Sequence, residues 1–109
     1  MENFPIIIFR QVFDNTTKGV IELLPALPNK RYVIKKLIIS CCESIFTSAS
    51  RLQIGDSLGW FIDITGDNQK QLFCYLSDLY GADSSEIQIQ SDIASTENVT
   101  VWGWAEVRG

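Results

Sequence analysis

The sequence contains no histidine, the side chain that most often serves as a catalytic base or a metal ligand. A nucleophile activated by histidine is therefore excluded, and a metal site would need other ligands. Neither the Ser and Cys residues at 40–42 nor the serines at 48 and 50 stand in a recognisable nucleophile motif. We expect the protein not to be an enzyme, and to use neither a cofactor nor a metal ion.

Cysteine is scarce, and its number is odd, so the three residues do not form a disulfide framework. Cys41 and Cys42 are adjacent, which places their Cα atoms too close for a relaxed disulfide. We predict that these two and Cys74 are small buried apolar side chains of a protein made in a reducing cytoplasm. A bridge between Cys41 and Cys74 would require their strands to meet.

Positive charge is also limited, with nine Lys and Arg residues against thirteen Asp and Glu and a net charge of −4. The basic residues are scattered, so we expect no nucleic-acid partner. No apolar run reaches the length of a membrane span, and we expect no membrane association. Residues 1–4 show no cationic segment before an apolar one, so we predict no secretion signal.

The chain is instead rich in short runs of β-branched and aromatic residues separated by turn signals. Its 109 residues suit one domain, and strands at this spacing are typical of a sandwich or barrel. We predict an all-β, mainly antiparallel β-sandwich of jelly-roll type that spans residues 1–109. Residues 68–80 stay undecided, because their apolar spacing fits one short helix and residues 72–76 also fit a strand.

The last segment, residues 99–107, alternates strictly, which is the pattern of a strand. One face carries small apolar residues: Val99, Val101, Gly103, Ala105 and Val107. The other face carries larger ones: Thr100, Trp102, Trp104 and Glu106. If the small face lies in the core, both indoles point outward or against a neighbour; with the faces reversed, the indoles form core. Gly103 allows another backbone to approach closely.

Residues 4–13 are apolar on both strand faces. One face carries Phe4, Ile6, Ile8 and Val12, and the other carries Ile7, Phe9 and Phe13. A single sandwich has one interior, so the second apolar face needs another cover. Sister subunits are the simplest cover. A helix at 68–80 or the loop at 25–31 would be the alternative within one chain.

Three further patterns yield local predictions. Lys35 and Lys36 interrupt the alternation of the strand at 32–41, which indicates a β-bulge. In the two strands at 58–65 and 86–93 the following residues are predicted to point inward: Leu58, Trp60, Ile62, Ile64, Ile87, Ile89 and Ile93.

Two weak patterns suggest a metal-binding or a catalytic site. The oxygen-bearing residues at 63–68 resemble part of a calcium loop, although a plain turn explains them better. Pairs of carboxylates for a small hydrolase would have to be drawn from Asp56, Asp63, Asp67 and Asp78, which makes that function remote.

Three segments resemble the small β-sandwich and jelly-roll structural proteins of tailed bacteriophages, above all capsid cement (decoration) proteins. Residues 32–40, Tyr-Val-Ile-Lys-Lys-Leu-Ile-Ile-Ser, are similar to the strand after an Asn-Lys-x-Tyr loop in viral sandwiches. Residues 52–56, Leu-Gln-Ile-Gly-Asp, resemble the short strand and turn that follow. Residues 99–106 resemble a closing strand with an apolar-Gly-aromatic-x-Glu pattern.

This resemblance implies a non-enzymatic virion protein on the capsid surface, made in the host cytoplasm. It implies a homo-oligomer, most simply a trimer, that clamps neighbouring copies of the major capsid protein. Termini in such proteins often reach adjacent subunits, a role that residues 1–9 would fill as an arm or edge strand. The residues expected at the partner interface are Phe4, Ile6, Ile8, Phe61, Trp102 and Trp104.

Two alternatives remain open from the sequence. A carbohydrate- or receptor-binding module would use Trp102 and Trp104 as a stacking platform for a glycan. Another virion component, in the tail or neck, would share the composition and the strand pattern of a capsid protein.

Overall fold

Two antiparallel sheets contain all of the regular structure in the residues that the computed structural model describes, namely 4–13, 19–41, 50–65, 72–92 and 99–109. In chain order the strands are β1 (Ile6–Phe13), β2 (Gly19–Leu24), β3 (Arg31–Cys41), β4 (Arg51–Asp56), β5 (Gly59–Thr65), β6 (Leu72–Tyr75), β7 (Leu79–Tyr80), β8 (Ile87–Asp92) and β9 (Val99–Arg108).

The first sheet has the order β1-β9-β3-β6, with the two-residue β7 also paired to β3. The second sheet has the order β2-β8-β4-β5. The chain crosses between the sheets after β1, β2, β3, β5, β7 and β8. This is the strand order of an eight-stranded jelly roll with one short added strand, and it confirms the predicted antiparallel β-sandwich.

The described part of the undecided segment, residues 72–80, contains the strands β6 and β7 and no helix. β6 pairs with β3 in a register that sets Tyr75 opposite Leu37 and Leu72 opposite Ser40. Pairing with a central strand satisfies the backbone of β6, which outweighs the helical spacing of its side chains. The suggested helix is therefore absent from residues 72–80, and residues 68–71 lie outside the described part.

The core lies between the two sheets. Its largest fully buried side chains are Tyr32, Phe13, Ile34, Leu37, Ile39, Leu52, Ile54, Ile64, Ile87 and Ile89. The predicted inward positions of Ile62, Ile64, Ile87 and Ile89 are confirmed. Ile93 lies outside the described residues.

The predicted inward positions of Leu58 and Trp60 are wrong, since these side chains are 84% and 38% exposed. Leu58 lies in the turn between β4 and β5. The register then shifts, because Ile62 faces Ile54 but Trp60 faces Gly55. The shift leaves Phe61 as an extra residue, so the alternation that buries Ile62 does not extend back to Trp60.

The bulge predicted at the paired lysines is confirmed. Ile34 faces Ala105 and Lys36 faces Trp104, so Lys35 is the extra residue in β3. Gly103 lies beside this bulge, and a Cβ placed there would overlap the Lys36 carbonyl. The predicted close approach of a second backbone at Gly103 is therefore also confirmed.

We expect Gly103→Ala to lower the free energy of unfolding by about 2 kcal/mol, because the neighbouring backbone of β3 must move to admit the methyl group. Urea unfolding at fixed protein concentration measures this. Gly109→Ala is the control, since its Cβ would meet only the flexible side chain of Lys30. Equal midpoints for both variants would contradict the close approach.

Cys74 is exposed and free, so its predicted burial is wrong. The inward position in β6 belongs to Phe73, which turns Cys74 to the outside of the sheet. β3 and β6 do meet, but their register places Cys74 opposite Ile38, three residues before Cys41. The side chain of Cys41 and all of Cys42 lie outside the described part of the chain.

Candidate interaction surface

β9 places its two indoles on the outside of the first sheet. Val99, Val101 and Ala105 are buried in the core, whereas Trp102 is 39% exposed and Trp104 is partly exposed. The prediction that the small face points inward is confirmed, and the reversed arrangement is wrong. Trp102 and Trp104 are thus available to something outside this sandwich.

The neighbouring strands continue the apolar surface on both sides of the indoles. Ile8 of β1 faces Trp104, and its side chain is 81% exposed. Ile38 of β3 faces Trp102 on one side and Cys74 of β6 on the other. We call this surface the apolar face and define it by Ile6, Ile8, Val12, Ile38, Leu72, Cys74, Trp102 and Trp104.

The outside of the second sheet has the opposite character. Gln53 of β4 faces Gln90 on one side and Asp63 on the other. Arg51 donates from Nε and Nη2 to the two carboxylate oxygens of Asp63, at 3.0 and 2.7 Å. Val20 on β2, 59% exposed, is an apolar side chain on this side. The outer side of the second sheet is therefore polar and suited to contact with water, whereas the outer side of the first sheet is apolar.

The chain itself covers one end of the first sheet. Arg108 lies over the rings of Phe4 and Tyr80, with its Cζ 4.6 and 5.8 Å from their centroids. Its Nε also donates to Glu106 at 3.1 Å, which raises the pKa of Arg108. Val33, which faces Glu106 on this outer side, is fully buried. We call this cluster the closed end. Among the described residues, none forms such a cover over the apolar face beyond it.

A shallow depression of about 450 Å³ lies on the apolar face beside Trp102. Ile8, Arg10, Ser40 and Thr100 line it together with the indole. The Lys36 ammonium lies 5.6 Å from the Trp102 ring centroid, a cation–π contact that occupies part of the ring. The depression has room for a partner side chain packed against an aromatic and aliphatic wall.

Five of the six residues predicted for the partner interface lie on the first-sheet side. Ile6, Ile8, Trp102 and Trp104 belong to the apolar face, and Phe4 borders it at the closed end. Phe61 is apart from them, because it lies in β5 of the second sheet and packs partly buried against the core.

The sequence analysis missed three members of the apolar face. Ile38 lies in a run that is apolar on both strand faces, and this run was a usable signal. Leu72 and Cys74 gave no signal, because their segment fitted a helix as well as a strand.

A nucleophile motif that the sequence analysis overlooked lies at residues 55–59, where Gly-Asp-Ser-Leu-Gly matches Gly-x-Ser-x-Gly. That motif requires a strand, a sharp turn and a helix, but here it forms the hairpin turn between β4 and β5. The Ser57 hydroxyl accepts a hydrogen bond from Ser85 Oγ at 2.9 Å, and the Ser57 amide donates to the same oxygen. These contacts give the motif a structural role.

Three of the four carboxylates considered for hydrolysis are engaged in other contacts. Asp56 is buried and accepts hydrogen bonds from the Leu58 and Ala82 amides at 2.8 and 2.7 Å. Asp63 pairs with Arg51, and Asp78 pairs with Lys35 at 2.8 Å. Asp67 and residues 66–68 of the suggested calcium loop lie outside the described part. In that part, no group of three or more acidic or Cys side chains could hold a metal ion.

Acid is expected to weaken the fold through the two surface ion pairs. Hydrogen bonds from Arg51 and Lys35 lower the pKa values of Asp63 and Asp78 below their ordinary 3.8. Their stabilisation is therefore present above that pH and is lost as the pH falls through the folded-state values. Urea midpoints measured as the pH is lowered should fall, and less steeply in Asp63→Asn. An equally steep fall of the urea midpoint with pH in Asp63→Asn would contradict this role of the ion pair.

Within the described ranges, no helix has the length and hydropathy to cross a bilayer.

No protein-family profile and no curated protein matches the sequence. Solved structures do match. A chain of the acidic stable capsid structure of Helicobacter pylori bacteriophage KHP30 has a TM-score of 0.67 at 15% identity, over 93% of this chain and 86% of that one. The Drosophila NLP core, described in relation to pentamer formation and histone binding, has a TM-score of 0.61 at 6% identity, over 94% of this chain and 97% of that one.

A third match, the virus-like particle of the extra small virus of the prawn Macrobrachium rosenbergii, has a TM-score of 0.40 at 10% identity, over 100% and 82%. This value is too low to support a common fold. At such identities the two closer similarities establish the fold alone, and they agree with the sandwich described above.

Proposed function

We propose that the protein is a non-enzymatic structural component of a virion, a cement (decoration) protein on the capsid surface of a tailed phage. It assembles as a homotrimer and binds the major capsid protein, without nucleic acid or membrane. The observation that carries this proposal is the exposed apolar face, on a sandwich whose other outer side is polar. Exposed apolar patches of this kind mark interaction sites.

The size of the apolar face supports another protein as its cover. Four strands about 4.8 Å apart, each contributing residues over about 20 Å, give a patch on the order of 300 Å². This is the range in which an exposed patch is commonly functional, and it suits the centre of an interface of about 800 Å² per partner. Tryptophan at its centre fits the residue preference of such interfaces.

Charge favours a second copy of this chain as part of the cover. The charged residues at the middle of the apolar face are Arg10 and Lys36, which are both positive. The chain as a whole is acidic, with thirteen Asp and Glu residues. A sister subunit therefore offers carboxylates to pair with these two cations within the contact.

The structural neighbours are consistent with this role. The matched chain of the KHP30 capsid structure is of similar length, since the alignment covers 93% of this chain and 86% of that one. The NLP core, with the same fold, is described as forming a pentamer. The trimer rests on the resemblance to cement proteins, and the mass of the assembly separates three subunits from five.

Residues 1–9 are proposed to reach the neighbouring subunit as an edge strand. β1 pairs with β9 on one side only and so forms an edge of the first sheet. A free edge can accept a strand from another chain. The apolar side chains of Ile6 and Ile8 would then extend the apolar face of the partner.

The glycan alternative at Trp102 and Trp104 has less support. Lys36 already occupies part of the Trp102 ring. The neighbours Ile8 and Ile38 are apolar, and no carboxylate of the described part of the chain lines the depression beside the ring, where the polar residues are Arg10, Ser40 and Thr100. The surface suits apolar contact with protein.

Virions provide the direct test of the cement role. We expect purified virions to contain the protein in a fixed ratio to the major capsid protein, and shells assembled without it to break at lower temperature. Quantitative mass spectrometry and thermal release of the genome measure both. Absence from purified virions, or equal heat resistance with and without the protein, would overturn the proposal; a ratio typical of a few tail copies would move the protein to the tail or neck.

A further inference from the structure

A second concave surface lies at one end of the sandwich, where the turn between β4 and β5 meets residues 80–83. It has a volume of about 520 Å³, within the range of small-ligand sites. Aromatic and charged side chains line it, namely Trp60, Phe61, Tyr80, Arg31 and Asp83. We call it the end groove, and it shares no residue with the apolar face.

The aromatic side chains of the end groove are accessible, and one of them is held in place. Tyr80 is 56% exposed, yet its hydroxyl donates to Asp78 at 3.4 Å and Arg108 lies over its ring. Trp60 is 38% exposed on the opposite side of the groove, in the hairpin of β4 and β5. Half-exposed aromatic rings present flat apolar surface, and a ring that is already held costs little to order.

Buried hydrogen bonds fix the backbone of both walls. The Asp56 carboxylate binds the amides of Leu58 in one wall and Ala82 in the other. The Gly81 amide donates to the Tyr32 carbonyl at 2.8 Å, and the Ser84 amide donates to the Lys30 carbonyl at 2.7 Å. The groove is therefore formed before any ligand arrives.

We propose that the end groove binds a neutral saccharide, with one or two sugar rings between its aromatic walls. The C–H face of a pyranose is apolar and packs on indole and phenol rings, while its hydroxyls need both donors and acceptors. Arg31 supplies donors and Asp83 supplies acceptors. Their charges are opposite, and Asp56 is already engaged by two amides, so the groove has little preference for an ionic ligand.

This proposal is independent of the cement role. A ligand in the end groove would leave the apolar face uncovered and the oligomeric state unchanged. Failure to oligomerise and failure to bind sugar are therefore separate results.

NMR titration of the uniformly labelled full chain tests the site. The probes are neutral oligosaccharides of glucose, galactose, mannose and N-acetylglucosamine at millimolar concentration. We expect at least one to shift, saturably, the Trp60 indole N–H and the amides of residues 57–60 and 80–83. No saturable shift with any probe, or shifts confined to Trp102 and Trp104, would overturn the proposal.

Variants then separate this site from other surfaces. Trp60→Ala and Asp83→Ala should each weaken binding about tenfold, whereas Val20→Ala, at an exposed position of the second sheet that does not line the groove, should leave it unchanged. Asp83 is an exposed turn residue, so its variant keeps the test valid if Trp60→Ala does not fold. Unchanged affinity in Asp83→Ala and in folded Trp60→Ala would refute the saccharide site.

Discussion

Ile8→Glu is expected to dissociate the assembly into single chains, whereas Val20→Glu is expected to leave it intact. Ile8 lies opposite Trp104 in the apolar face, and the proposed contact would take the new carboxylate out of water. Burial of a charge costs several kcal/mol even with a cation such as Arg10 on the same strand face, so the dissociation constant should rise about a hundredfold or more. Light scattering on a size-exclusion column measures the masses.

Val20→Glu is a matched control for this experiment. Both residues are exposed β-branched side chains on edge strands, one on each sheet. Neither substitution changes the core, and circular dichroism should show the same β-sandwich for both. Assembly that survives Ile8→Glu, or that is lost equally in Val20→Glu, would mean that the apolar face is not the contact surface.

Asp56→Ala is expected to lower the free energy of unfolding by about 3 kcal/mol. The buried carboxylate accepts hydrogen bonds from two backbone amides, Leu58 and Ala82, which belong to different loops. Removing it leaves both amides without this acceptor and disconnects the turn between β4 and β5 from residues 81–82. Urea unfolding at fixed protein concentration gives the difference.

The control for this prediction is Asp83→Ala, an exposed acidic residue beside the same loop, which should change stability by less than about 0.5 kcal/mol. Asp56→Asn should fall between the two, because its amide keeps one acceptor oxygen. If Asp56→Ala unfolds at the same midpoint as Asp83→Ala, the carboxylate does not hold the two loops together.

The alternation of side chains predicted much of the fold, because it depends on geometry within a single strand. It placed Trp102 and Trp104 on the outside of β9, and its interruption at Lys35 marked the bulge. It also identified Ile6 and Ile8 as a second apolar face, which the structure leaves exposed. Each of these features can be deduced from residues close together in the sequence.

Features that depend on pairing between distant segments could not be predicted from the sequence. Trp60 lies outside the core because the register of β4 and β5 shifts at Gly55. Cys74 became a surface residue because β6 joined β3 with Phe73 inward. Phe61 was predicted as a contact residue from its strand face alone, without knowledge of which sheet would carry that strand.

The closed end shows a second limit of sequence analysis. Arg108 brings together Phe4 and Tyr80 from distant parts of the chain, and the fully buried Val33 lies opposite Tyr80. No local sequence pattern predicts such a cluster. It explains why only part of the outer side of the first sheet stays exposed, and it sets the border of the apolar face.

The molar mass of the unmodified protein in solution tests the central claim most directly. If another subunit covers the apolar face, light scattering at micromolar concentration should give three times the chain mass of 12.3 kDa. A mass of 12.3 kDa that persists as the concentration rises would show that Ile8, Trp102 and Trp104 face water in a stable monomer, and it would contradict the account.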